Sequence, residues 1–178
     1  MYSRLKFLVM FIFLFMFVPF LFPHDLEVDV EEMLTIIQEE PNFKVADYLM
    51  KEIYVILIKH QDKRIRDIFL QMTLEELRQG SDSQDRIANL MFQHETILEI
   101  DPHSILSLDT LSYYHFRRGE FKDAISQAVQ CIAVNDHFPP CYLRKGFSHW
   151  QLKEYTEALN AFRKLKELFP SYPVNRYI

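Results

Sequence analysis

Four histidines fall into two pairs at one interval: His103 with His137 and His115 with His149, each 34 positions apart. Imidazole is the commonest metal ligand, so the spacing first raises a metal site. An interval of that length places equivalent residues on successive copies of one structural unit. They are then roughly 10 Å apart at helix-packing distances, too far to share an ion. The histidines therefore read as repeat positions filled twice, and no metal is expected. No Gly-rich phosphate loop, nucleophile elbow or H-E-x-x-H helix occurs, so neither a catalytic residue nor a cofactor is expected. Cys131 and Cys141 are the only cysteines. In an oxidising compartment they invite a disulfide across an antiparallel turn through "NDHFPP"; the alternative is two small buried thiols.

The elements that carry these residues repeat. Glu120, Phe121, Asp123, Ala124 and Ile125 stand opposite Glu154, Tyr155, Glu157, Ala158 and Leu159 at the same offset of 34. Identity between the two copies is low, but Leu108/Tyr142, Tyr113/Phe147, Phe116/Trp150 and Val134/Leu168 keep apolar character in register. Stacking one supersecondary unit on its neighbour demands that conservation of type. With only three glycines and no Asn-Gly or Asp-Gly turn, the chain reads as all-α. Apolar periodicity and breakers predict helices over 29–40, 42–60 and 62–79, a loop at 80–85, then 86–100, 104–117, 120–134, 139–152 and 154–168. Asp29 precedes Glu32 at capping-box spacing. The run "IYVILI" at 53–58 is also compatible with a buried strand, although its length and neighbours favour helix.

A period of 34 with two helices per unit resembles the tetratricopeptide repeat family over about 86–170. That pattern asks for large residues at unit positions 4, 7, 11, 17 and 24 and small ones at 8, 20 and 27. Leu108, Leu111, Ser112, Phe121, Ala124 and Cys131 supply these in one unit, and Tyr142, Gly146, Tyr155, Ala158 and Phe162 in the next, with Pro170 at position 32. Lys145, Leu165 and Asp136 depart from it. The resemblance implies a superhelical array of helical hairpins whose concave groove is lined by the first helix of each unit. The groove positions here are Leu106, Asp109, Thr110, Tyr113, Phe116 and Arg117, then Pro140, Leu143, Arg144, Phe147, Trp150 and Gln151. Aromatic rings beside arginines are the composition of interface hot spots. Two readings follow: the groove binds a protein or peptide partner, or the N-terminal helices fold into it and bury the strip as core. The lysines and asparagines of the chaperone-tail clamp are missing, and only Arg144 fits it.

The first 23 residues belong to another solvent. A basic start, "MYSRLK", precedes the uncharged run 7–22, which reads as a membrane anchor or a cleaved signal. No small-residue cleavage site follows, which favours the anchor. The expected organisation is 1–23 as signal-anchor or signal peptide, 24–85 as divergent helices, 86–172 as repeats and 173–178 as a tail. Either way the acidic remainder lies on the non-cytoplasmic side, with a bacterial cell envelope the first expectation and an exported soluble protein the second. Beyond residue 23 there are 18 basic and 25 acidic residues, so bulk-charge binding of nucleic acid is not expected.

Function on this reading is that of a non-catalytic scaffold at a membrane. The alternatives are a structural subunit of a larger membrane assembly and an accessory subunit of an enzyme on another chain. The end of the array makes a further demand. Leu159, Phe162, Leu165 and Phe169 form an apolar face, and only a short tail follows to cover it. That predicts self-association or a second partner there.

Overall fold

The computed structural model describes residues 30–59, 61–79 and 84–174. The apolar run 7–22, the proposed cap Asp29 and the final residues 175–178 lie outside them. Eight helices, and no strand, occur among the described residues. They are α1 Val30–Glu39, α2 Phe43–Lys59, α3 Lys63–Gln79, α4 Gln84–Ile100, α5 Ile105–Arg117, α6 Phe121–Val134, α7 Pro139–Gln151 and α8 Tyr155–Leu168. The "IYVILI" run lies inside α2 as helix. Of the expected loop 80–85, Gln84 and Asp85 belong to α4 as helix, and residues 80–83 lie outside the described residues. None of these helices is long and apolar enough to cross a membrane.

The two repeats, α5–α6 and α7–α8, turn in the same way. After Arg118 the chain enters the left-handed region at Gly119, φ 78°, and after Leu152 it does so at Lys153, φ 63°. Glycine is suited to that conformation; lysine adopts it at a cost of about 1 kcal/mol. The Gly119 amide donates to the Phe116 carbonyl and the Glu120 amide to the His115 carbonyl, at 3.0 and 2.9 Å. Lys153 and Glu154 repeat both bonds to Trp150 and His149 at 3.0 Å. This double closure ends each first helix and launches the second. The side chains reinforce it: Nδ1 of His115 lies 2.7 Å from Glu120 Oε2, and Nδ1 of His149 lies 2.6 Å from Glu154 Oε2. His115 and His149 thus fasten the turn within each repeat.

Small residues set the spacing between paired helices. Ser112, fully buried, donates its hydroxyl to the Ala124 carbonyl at 2.7 Å, which answers a polar group that α5–α6 packing would otherwise strand. In the second repeat the position belongs to Gly146, where an added Cβ would stand 2.5 Å from Cε1 of Phe162. Between the repeats, Cys131 near the end of α6 is disulfide-bonded to Cys141 near the start of α7, with Cα atoms 5.9 Å apart. Closing so short a loop stabilises by about 2–3 kcal/mol on chain-entropy grounds.

The array is closed by its own N-terminus. Met33, Leu34 and Ile37 of α1 join one core with Phe162, Leu165, Phe169 and Val174, and α1 packs on α8. Phe43 at the start of α2 stacks on Phe169 at 6.0 Å and meets Tyr172 edge-on at 5.6 Å. Asn135, capping α6, donates to Glu31 at 2.8 Å. The apolar end face read from the sequence is therefore not an open one: Phe162, Leu165 and Phe169 are buried. The residues that cover it lie over 100 positions upstream, where periodicity within the repeats gives no sign of them. The expectation of self-association there loses its premise.

At the other end, α3 and α4 meet around a buried imidazole. His94 Nδ1 lies 3.2 Å from Ser107 Oγ, and its ring contacts Phe69 and Tyr114 at 5.8 and 6.3 Å. Burial holds its pKa at about 4 against an ordinary 6.5. Between those values the unfolded chain takes up the proton before the folded one does. Stability therefore declines as pH falls from 6.5 toward 4, by on the order of 3 kcal/mol from this group. We expect the difference in unfolding free energy between wild type and His94→Gln to shrink across that window in urea titrations. Parallel curves would place the acid sensitivity elsewhere.

Gly146 gives a second test. Gly146→Ala drives a methyl group into the rigid, buried Phe162 ring, which also meets Phe147 at 5.1 Å. Overpacking of this kind costs about 1–3 kcal/mol, against a helix-propensity gain of about 1. The variant should melt a few degrees lower, and adding Phe162→Leu should recover part of the loss. A melting temperature at or above wild type for the single variant would show that the ring yields freely.

Candidate partner-binding face

The groove residues fall on one stripe of α5 and one of α7, at intervals of three or four that keep them on a single helical face. The fold brings the stripes together. Arg144 of α7 reaches Asp109 of α5, Nε to Oδ1 3.5 Å, and its guanidinium lies 4.8 Å from the Tyr113 ring centre. Phe116 and Phe147 face each other at 6.4 Å. The groove residues therefore form one surface, but it has two halves with different fates.

The N-terminal half is filled by the chain itself. Leu106 and Asp109 are buried, Leu143 packs against the core, and Arg144 is largely covered. The covering element is α2, whose Ala46, Met50 and Ile53 enter the same core. Tyr54 donates its hydroxyl to Asp109 Oδ2 at 2.7 Å, and its ring lies 5.8 Å from Phe138. Burial raises the Asp109 carboxyl above its ordinary range, while the Arg144 charge and the Tyr54 hydroxyl pull it down. Burial, then the neighbouring Asp109 charge, push the Tyr54 phenol well above its usual value.

This polar link is incomplete. Asp109 Oδ1 and Arg144 Nε are both buried without a hydrogen bond, since their 3.5 Å approach is an ion pair outside hydrogen-bonding geometry. Coulomb attraction offsets part of the desolvation, but each unmade bond on such a group costs roughly 1–3 kcal/mol. Tyr54 and Phe138 are neighbours of the groove that its positions do not reveal. The available sign was Asp109 itself, an acid inside the apolar stretch "ILSLDTL", which needs a donor from elsewhere in the chain.

The C-terminal half stays partly open. Tyr113, Phe116 and Phe147 are half-buried, while Arg117, Trp150 and Gln151 are exposed. Arg117 donates to the Tyr113 hydroxyl at 2.7 Å and lies 5.6 Å from that ring's centre, so two guanidinium groups share one aromatic. Trp150, 37% exposed, meets Tyr155, 56% exposed, edge-on at 5.3 Å. Phe116 and Phe147 turn instead toward Phe121 and Phe162, at 5.6 and 5.1 Å. They support the strip from behind.

The surface offers rings, guanidinium groups and amides, which suit recognition by contact. His115, Glu120 and Asp123 do bring potential ligand atoms within 4.8 Å of one another. Glu120 is already held by His115 and by Arg118 Nη2, the latter at 2.9 Å, so the group is accounted for as the turn fastening described above.

Residues 83–165 match the family model described as anaphase-promoting complex, cyclosome, subunit 3, a family of tetratricopeptide-like repeats. No curated protein matches the chain. The matched stretch begins at the approach to α4 and ends within α8, so it holds both fastened turns and the whole strip. Together with the all-helical array, the match supports a tetratricopeptide-type repeat protein.

Proposed function

We propose that this protein is a non-catalytic scaffold that captures a protein or peptide partner on the open half of its concave face, through Tyr113, Phe116, Arg117, Phe147, Trp150 and Gln151. The observation that carries this reading is the exposed Trp150–Tyr155 pair on the same face as Arg117 and the Tyr113 ring it stacks on, with Phe147 behind it packed on the core through Phe162. Large rigid side chains on a fixed base lose little entropy on binding, which is what makes tryptophan and arginine strong interface anchors. The repeat architecture and the family match favour protein partners in general.

The run 7–22 is read as a tether that holds this domain at the non-cytoplasmic face of a membrane. Its basic flank and the lack of a small-residue cleavage site after it favour that reading, as does, for the non-cytoplasmic side, the Cys131–Cys141 bond, since disulfides persist in oxidising compartments. Mass spectrometry of membrane-extracted protein should find these residues still attached; a mature chain starting near His24 would make the protein an exported soluble one instead.

The test of the face is site-specific photocrosslinking in cells, with a crosslinking amino acid at position 150 and, as control, at Val129, which is 46% exposed on α6. Adducts should form from position 150, disappear with Arg117→Glu, and be absent from position 129. Because Phe147 packs on buried Phe162, Phe147→Ala would confound binding with stability. Trp150→Ala is the cleaner companion and should reduce capture at least tenfold while leaving the melting temperature within a few degrees. Equal adducts at both positions, or none at 150, would remove the face from consideration.

A further inference from the structure

The loop between the two repeats is a landing place for both N-terminal helices, and it is also the stretch that the disulfide closes. Cys131 and Cys141 fix its two ends with their Cα atoms 5.9 Å apart. Inside it, the Asn135 amide donates to the Cys131 carbonyl at 3.1 Å, the His137 amide to Asn135 Oδ1 at 2.8 Å, and the Cys141 amide to the Phe138 carbonyl at 3.3 Å. The residues so placed are the ones that the N-terminal segment meets. Asn135 donates its side-chain amide to Glu31 of α1 at 2.8 Å, and Phe138, fully buried, lies 5.8 Å from the Tyr54 ring of α2. Both cysteines are themselves fully buried, in the core that holds Met33, Leu34 and Ile37 of α1 and Ala46, Met50 and Ile53 of α2.

We infer that the Cys131–Cys141 bond is a redox latch on the closure of the array: it holds Asn135 and Phe138 where Glu31 and Tyr54 reach them, and the closed core then seals it against exchange. Its formation takes two electrons and two protons from the two thiols; the disulfide of a thiol–disulfide exchange partner receives them and becomes a pair of thiols. In either direction a thiolate must approach one sulfur of a disulfide directly. Neither cysteine is reachable in the closed molecule, so the bond is made and broken only while the closure is open. The coupling is mutual. By linkage, whatever factor the bond adds to the closing equilibrium, closure adds to the persistence of the bond. Without the bond the loop regains conformational freedom. The part of the molecule that then loses its landing points is the N-terminal segment, while α5–α6 and α7–α8 keep the turns that His115 and His149 fasten.

Reduction of the bonded full chain under native conditions tests the seal. Dithiothreitol is the reductant, giving up two electrons and two protons as it closes into a cyclic disulfide, and the thiols released are trapped by alkylation and followed by mass spectrometry. The bond should be reduced more slowly, by about a hundredfold or more, than in the same chain unfolded in urea. Ile37→Ala trims a fully buried residue of α1 without touching the loop, and should speed native reduction by about tenfold or more. Ile97→Ala makes the same truncation at a fully buried position of α4 and should leave the rate near that of the unaltered protein. A native rate equal to the unfolded one would overturn the seal. So would an unchanged rate in Ile37→Ala, which would show that the repeats alone bury the bond, or equal acceleration by both variants, which would make global unfolding the route. Hydrogen exchange tests the latch. With Cys131→Ala and Cys141→Ala together, amides of α1 and α2 should exchange about tenfold faster or more, and those of α5–α8 should change by less. Uniform loss of protection would make the bond a general staple and overturn the proposal; should the double variant not fold, the reduction rates of the two bonded variants decide alone.

Discussion

A carboxylate on the concave side of a helical array has to be answered, and the answer to Asp109 organises everything N-terminal to the repeats. Its burial would be ruinous without donors. Tyr54 supplies one at 2.7 Å and Arg144 supplies charge at 3.5 Å. To bring Tyr54 there, α2 must cross the concave face; to let α2 do so, α1 must arrive beside α8. The Tyr54–Asp109 bond thus ties the second helix to the fifth, while apolar packing seats the first beside the eighth.

The same segment solves two further problems that a short array faces. A repeat array leaves one apolar face uncovered at its end and one apolar trough along its inside. Here α1 covers the end, through Met33, Leu34 and Ile37, and α2 reaches the trough through Tyr54, whose hydroxyl bonds Asp109. Longer arrays meet the first need with a dedicated polar helix after the last repeat. This chain uses residues before the first one, and its tail contributes Val174, fully buried, to the seam. What remains open of the inner face is the strip with Trp150, which meets Tyr155 edge-on.

Local structure was legible from the sequence, and long-range structure was not. Helix ends agree within a residue or two almost everywhere, because Pro41, Asp62, Gly119 and the pair Pro139 and Pro140 act on the chain within a turn of themselves. The two repeats were readable from apolar register alone. The groove stripes were also placed on one surface, since a helical face is a matter of spacing. By contrast, the division of that surface into covered and open halves depends on a hydrogen bond between residues 55 positions apart, which no period encodes. The histidines show the intermediate case: their interval revealed a repeated position, but their role needed the geometry of Glu120 and Glu154. Lys153 in the left-handed region was hidden for a different reason. A lysine carries no sign of that conformation, and only its equivalence to Gly119 could have pointed to it.

Closure of the first helix onto the last sets the order in which the chain can be finished. During synthesis α1 and α2 emerge first, yet their apolar faces have no counterpart until α5, α7 and α8 have been made. Contacts that span nearly the whole chain carry the largest loop-closure cost and form late. For much of its production the protein therefore holds a pair of helices, α1 and α2, whose faces toward the repeats are not yet covered. In that interval they are open to chaperones, membranes and other chains in a way that the finished molecule is not. The hairpins α5–α6 and α7–α8 need only their neighbours, so they can wait, already formed, for the oldest part of the chain to come back to them.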